Sequence, residues 1–135
     1  MRYLRLRGVI MAQWNKNTVP KCEDKNCSDE ALVTIEHIGY GGELYRKVVK
    51  AVYFPYHQCT LEDMGWSMYD GVPSDWEYSE ENDSYWIPQG WYEVSDYFED
   101  YSYSVITDKV IAWMKLPKPY SPQIKELRGR EEWMI

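Results

Sequence analysis

Two histidines and three cysteines are the side chains of this chain best suited to bind a transition metal or to work as a base or nucleophile near neutral pH. Cys22 and Cys27 are separated by four residues, a spacing that zinc sites use. His57 and Cys59 flank Gln58, so an extended backbone places both on one side. Together they make a Cys₃His set, enough for tetrahedral zinc. The second pair is tighter than the usual knuckle of two to four intervening residues. The expectation is therefore no bound metal, with Cys22, Cys27, His57 and Cys59 as the alternative ligand set. His37 falls within an alternating apolar stretch and reads as a structural or exposed histidine. There is no Gly-x-Ser-x-Gly elbow, His-Glu-x-x-His pair, phosphate loop or dinucleotide fingerprint. The chain is expected to be no enzyme and to need no cofactor.

Carboxylates are the more abundant chemistry. From Ala51 to Asp108 there is no Lys or Arg, and there are thirteen Asp and Glu, a formal charge of −13. The rest of the chain carries +6, which gives the net −7. Fifteen of the twenty-two aromatic residues lie in the same window. Segregation on this scale creates a strong negative potential over part of the surface. Two readings follow: rings in the core with carboxylates in water, or a recognition surface, since Tyr and Trp are enriched at binding hot spots. The residues singled out for binding are Asp75, Trp76, Glu77, Tyr78, Glu80, Glu81, Asp83, Asp96, Glu99 and Asp100. Asp75, Glu77, Ser79, Glu81 and Asp83 alternate like calcium ligands, but the central glycine of a calcium loop is missing, so a solvated loop is expected. No carboxylate pair stands out for glycoside hydrolysis.

The elements that must position these residues follow from periodicity. A chain of 135 residues, 44% apolar, is the size of one domain and buries a core without a staple. Residues 31–38 are β-branched and bounded by polar turn residues, so they read as a strand. Gly39 to Gly42 supplies a turn, residues 43–54 a second and longer strand, and Pro55 ends it. Residues 65–71 read as a short strand and 72–84 as a loop. Short strands are expected at 84–87 and 90–94, a helical turn over 95–103, and a last strand over 109–114. Residues 116–122 are proline-rich and extended. Residues 123–135 have helix-forming composition and suit a short C-terminal helix. The fold class expected is α+β, mainly β: a small antiparallel sheet with an irregular acidic-aromatic insertion. Residues 1–12 read as an extra strand or a flexible start, with 1–10 equally explained by an upstream translation start at Met1. Residues 120–135 read as a tail.

Three cysteines, an odd number, and no apolar h-region at the start point to free thiols in a reducing compartment, hence the cytoplasm. No apolar run is long enough to span a membrane. Direct binding of DNA or RNA is disfavoured, because the acidic window repels phosphates.

Several stretches resemble one family. Trp14 followed by Pro20, the strand 31–38, the glycine turn and a strand ending Ala51-Val52-Tyr53-Phe54 form one half. The run from Val110 to Pro119, with Trp113, Met114 and Leu116-Pro117-Lys118-Pro119, forms the other, and the segment from Ile87 to Glu93 adds to it. Together they resemble the domain of unknown function 551 family of small phage and prophage proteins, over residues 13–54 and 86–119. Residues 55–84 depart from the pattern as an insertion, and the loop 21–30 carries two cysteines that the pattern lacks. The resemblance implies a small antiparallel sheet with Trp113 in or near the core, a phage context, and no catalytic residues. By analogy with phage proteins of this size, it implies a binding protein that blocks a host or defence protein, in the manner of an anti-CRISPR inhibitor. The acidic-aromatic segment would then mimic nucleic acid in a basic groove of that partner, within the bacterial cytoplasm. The alternative is a structural or regulatory phage accessory protein that self-associates as a homo-oligomer.

Overall fold

The computed structural model describes residues 3–6, 9–68 and 70–122. Strands β1 (Tyr3–Leu6) and β2 (Val9–Ala12) pair as an antiparallel hairpin. Then come β3 (Ala31–Ile38), β4 (Leu44–Phe54), the short helix α1 (Leu61–Met64), β5 (Tyr78–Ser79), β6 (Ser84–Tyr85), β7 (Gly90–Tyr97), β8 (Asp100–Val105) and β9 (Lys109–Lys115). Five of them form one antiparallel sheet in the order β8-β7-β4-β3-β9, and β5 pairs with β6. The architecture is mainly β, as expected. The helix expected over 123–135 lies outside the described residues.

The β3–β4 hairpin arises where the alternation predicts it. Gly42 closes its turn at φ 84°, a left-handed conformation that glycine adopts without steric cost. In β3 the alternation puts Ala31, Val33 and Ile35 on one buried face. The last four residues of β4, Ala51 to Phe54, are all buried, so both faces of the sheet are covered there.

Each face holds its own core. The first contains Val33, Ile35 and Ala51, packed against half-buried Trp91, Trp113, Val110 and Ile106. Strict alternation along β9 would send Val110 and Trp113 to opposite faces. A register shift between Thr34 and Ile35 pairs them with Ala112 and Val110 and leaves Ile111 over, so both Val110 and Trp113 reach the first core. Trp113 is thus in this core but only half-buried, and its indole N–H donates to Thr18 Oγ1 at 3.1 Å.

The second core contains Val52, Phe54, Tyr92 and Val94 from the sheet, Cys59 and Leu61 from the insertion, and Ile87 just after it. The insertion is more ordered than the expected loop. Thr60 caps α1 through a reciprocal pair: Asp63 N–H donates to Thr60 Oγ1 at 3.2 Å, and Thr60 N–H to Asp63 Oδ2 at 2.9 Å. Gly65 ends the helix at φ 68°. Trp86 bridges to Thr60, and Ile87 N–H donates to Cys59 O at 2.9 Å, which ties the start of the insertion to the residues just past its end.

Three expectations are corrected here. Residues 95–103 are not a helical turn; they run through the end of β7, a tight turn and β8. Cross-strand pairing with Val94 and the burial of Val94 outweigh a local helix start at Ser95. Among the described residues of 65–71 there is no strand, because Gly65 serves as the C-cap of α1. Within 72–84, β5 and the start of β6 form a two-stranded hairpin.

Candidate functional site

The acidic residues singled out from the sequence divide between two hairpin tips. Glu80, Glu81 and Asp83 lie in the turn of the β5–β6 hairpin, with Tyr78 beside them on β5. Glu99 and Asp100 lie at the turn of the β7–β8 hairpin. Asp75, Trp76 and Glu77 run up to β5.

Local chemistry decides which of them are held by neighbours. Tyr78 OH hydrogen-bonds to Asp83, and that bond raises the phenol pKa. Glu77 Oε2 sits 2.6 Å from His57 Nε2. Asp96 forms an ion pair with Lys50 and so belongs to the sheet rather than to an open acidic face. Its carboxylate raises the Lys50 pKa, and Glu30 approaches the same ammonium at 3.7 Å. Trp76 is half-buried and packs against the second core, so it is not a loose loop side chain. Asp75, Glu80, Glu81, Glu99 and Asp100 are exposed and have no side-chain hydrogen bond or ion pair among the described residues.

Between the insertion and β8 lies a cleft of about 770 Å³. Trp66, Met68 and Trp76 of the insertion line one side, and Tyr101, Tyr103 and Val105 of β8 the other. Trp66 anchors it, with ring centroids 5.6 Å from Phe54 and 5.0 Å from Tyr103. None of the lining residues is charged, but Glu62, Asp63, Asp70, Asp75, Glu77, Glu99 and Asp100 each stand one or two positions from one of them. Their Cα atoms are therefore within about 7 Å of the lining. All seven are exposed. The cleft thus has a mostly apolar lining with exposed carboxylates close to it along the chain; of these, Asp63 is taken up by the cap of α1 and Glu77 by His57.

Two features of this surface were missed in the sequence. At the tip of β7–β8, Tyr97 and Phe98 are 75% and 84% exposed and meet edge to face at 4.8 Å. Phe98 takes φ 58°, because a two-residue hairpin turn calls for positive φ. A bulky residue pays of order 1–3 kcal/mol for that conformation, and such strain clusters at functional sites. The second feature is a stack: His57 lies between Tyr56 at 4.0 Å and Trp86 at 4.8 Å, with interplanar angles of 10° and 15°. Neighbouring aromatics in the sequence were the only signal for either.

The cysteines do not converge with His57. Cys22 Sγ donates to Tyr53 O at 3.6 Å and Cys59 Sγ to Thr60 O at 3.4 Å, while His57 Nε2 faces Glu77. No group of three or more His, Cys, Asp or Glu suited to a metal occurs among the described residues. Burial, reinforced by nearby carboxylates, pushes the Cys27 thiol up to about 11 and Cys59 up to about 12. These thiols stay protonated and are poor nucleophiles and ligands. Among the described residues no Ser, Thr or Cys hydrogen-bonds to either histidine. His37 instead contacts Asp108 at 2.9 Å on the sheet surface.

The raised thiols make stability depend on alkaline pH. Unfolded thiols ionise near 9.0, whereas the folded ones hold their protons to about 11 and 12. Between those values the native state binds more protons than the unfolded one, so stability falls as pH rises. Burial of Tyr92, whose hydroxyl is pushed up to about 12 from 10.0, acts in the same direction. The urea midpoint is expected to be level from pH 7 to about 8.5 and to drop steadily above pH 9. A Cys27→Ala/Cys59→Ala variant is expected to show a shallower drop. A midpoint unchanged to pH 11 would contradict this burial.

Comparison with protein-family models, with curated proteins and with solved structures finds no match. No helix among the described residues is long and apolar enough to cross a membrane.

Proposed function

We propose that this protein is a phage-associated, non-enzymatic binding protein of the bacterial host cytoplasm. It engages a host or defence macromolecule that presents a basic surface. The observation that carries this reading is the apolar cleft between β8 and the insertion, in a window without Lys or Arg where Asp70, Asp75, Glu99 and Asp100 are exposed one or two positions from its lining. Exposed carboxylates of this window occupy a basic groove that otherwise holds phosphates, and the exposed rings of Tyr97, Phe98 and Tyr78 stack where bases would. The resemblance to the domain of unknown function 551 family supplies the phage context. No direct contact with nucleic acid, membrane or cofactor is part of the reading.

The carboxylates without internal partners are the ones to neutralise. In D75N/E80Q/E81Q/E99Q/D100N the fold is expected to hold within about 0.5 kcal/mol, as surface substitutions do. Association with the basic partner is expected to slow about tenfold at low salt, with a smaller effect on dissociation. A pull-down from infected-host lysate at low salt is expected to recover basic nucleic-acid enzymes with the wild type and to lose them with the variant. Equal recovery by both would overturn the reading.

A second reading, a structural or regulatory accessory protein that self-associates, has its own support. Ile38, Leu44 and Val48 are 68%, 51% and 51% exposed on one face of the β3–β4 hairpin. That hairpin also carries Arg46 and Lys47, opposite in charge to the acidic window. Concentration-dependent mass in light scattering, abolished by salt, would favour it.

A further inference from the structure

The β8 strand is one edge of the five-stranded sheet. Its register fixes which backbone groups point outward. Ile106 N–H donates to Trp91 O at 2.9 Å, and Ser104, Ser102 and Asp100 pair with Glu93, Ser95 and Tyr97. In an antiparallel pair, bonded and non-bonded positions alternate. Asp100, Ser102 and Ser104 therefore bond inward to β7, and Tyr101, Tyr103 and Val105 direct their N–H and C=O groups away from the sheet. Among the described residues no other backbone group meets them. The side chains of these same three residues line the apolar cleft. The edge also lacks the lysine that commonly blunts such strands, and it carries no proline.

We propose that β8 is a strand-addition site for an extended peptide segment of alternating basic and apolar residues. Resting on the reading of a basic partner, the proposal specifies how that partner is held. The peptide's backbone pairs with the outward groups of Tyr101, Tyr103 and Val105. Its apolar side chains enter the cleft beside Trp66, Met68 and Trp76. Its basic side chains alternate to the opposite face of the sheet, where Asp100 of β8 and Glu93 of β7 lie. Main-chain hydrogen bonds provide affinity in this mode, and alternate pockets provide specificity. Charge complementarity selects the occupant: the β7–β8 hairpin carries Glu93, Glu99 and Asp100, and Lys50 is already held by Asp96, so an acidic strand is disfavoured at this edge.

The test uses the full chain and a ten-residue peptide of alternating Lys and Val. Two isomers carry backbone N-methyl groups on every Val or on every Lys. A strand directs alternate N–H groups to opposite edges, so pairing through one edge requires one isomer to lose affinity by about tenfold or more while the other keeps it. Val105→Pro removes one outward N–H without touching the β7 ladder, which an edge strand tolerates. It is expected to weaken the parent peptide, whereas Val105→Ala is expected to bind more tightly than Val105→Pro at an equal melting temperature. Salt-sensitive binding that discriminates the isomers supports the proposal. Equal, salt-sensitive binding of the parent and both isomers overturns strand addition and leaves the basic-partner reading standing. No binding of the parent peptide, or binding indifferent to salt, overturns both.

Discussion

Replacing Phe54 with Ala lowers the unfolding free energy by about 3–5 kcal/mol, the cost of deleting a fully buried aromatic ring. Phe54 is 0% exposed at the end of β4, with Tyr92 edge to face at 4.9 Å and Trp66 at 5.6 Å. Trp66 cannot readily move into that space, because it is held by its own contact with Tyr103. Trp113→Ala is expected to cost less, about 2 kcal/mol, since the half-exposed ring gives up less burial. Urea denaturation of both variants checks the order. Equal losses, or a Phe54→Ala loss under 1 kcal/mol, would show that the second core is not the main one.

Ile87→Ala is expected to cost about 2–5 kcal/mol, the range for a buried aliphatic cut to Ala. Ile87 is 1% exposed and joins the insertion to the sheet beside Cys59 and Leu61. Its backbone bond to Cys59 O remains in the variant, so the damage is a cavity under the insertion. Limited proteolysis is expected to cut within residues 66–84 at a higher rate than in the wild type, before the sheet strands are cut. The wall of the cleft formed by Trp66 and Trp76 rests on this joint. Loss of basic-peptide affinity in Ile87→Ala, at a temperature where β3 and β4 stay protected from hydrogen exchange, would tie the cleft to that support. Uniform loss of protection across the chain would instead make the insertion and sheet one cooperative unit.

Much of the sheet was legible because its signals are local. The alternation of Ala31, Val33 and Ile35, the glycine turn and Pro55 each act within a few residues, and the β3–β4 pairing follows the predicted hairpin. The insertion was not legible for the same reason. The Thr60-Asp63 capping box was present, but a helix of four residues has no period to read. The β7–β8 hairpin was masked by Phe98 and Glu99 in a turn where Asn or Gly is the usual signal. Of the site residues, Asp96 looked like its acidic neighbours. Only the lateral approach of Lys50, forty-six positions away, takes it out of the acidic face.

The sequence by itself determined the β character, the central hairpin and the segregation of charge, because period, turn chemistry and ionisation are carried by residues close together in the chain. The tertiary structure alone decided which carboxylates are paired, that Trp76 is a wall rather than a tip, and that β8 is an edge. Those are relations between segments brought together by burial. A pattern of period two is the same on an edge strand as on a central one, and a carboxylate's partner is set by the register of the strand beside it.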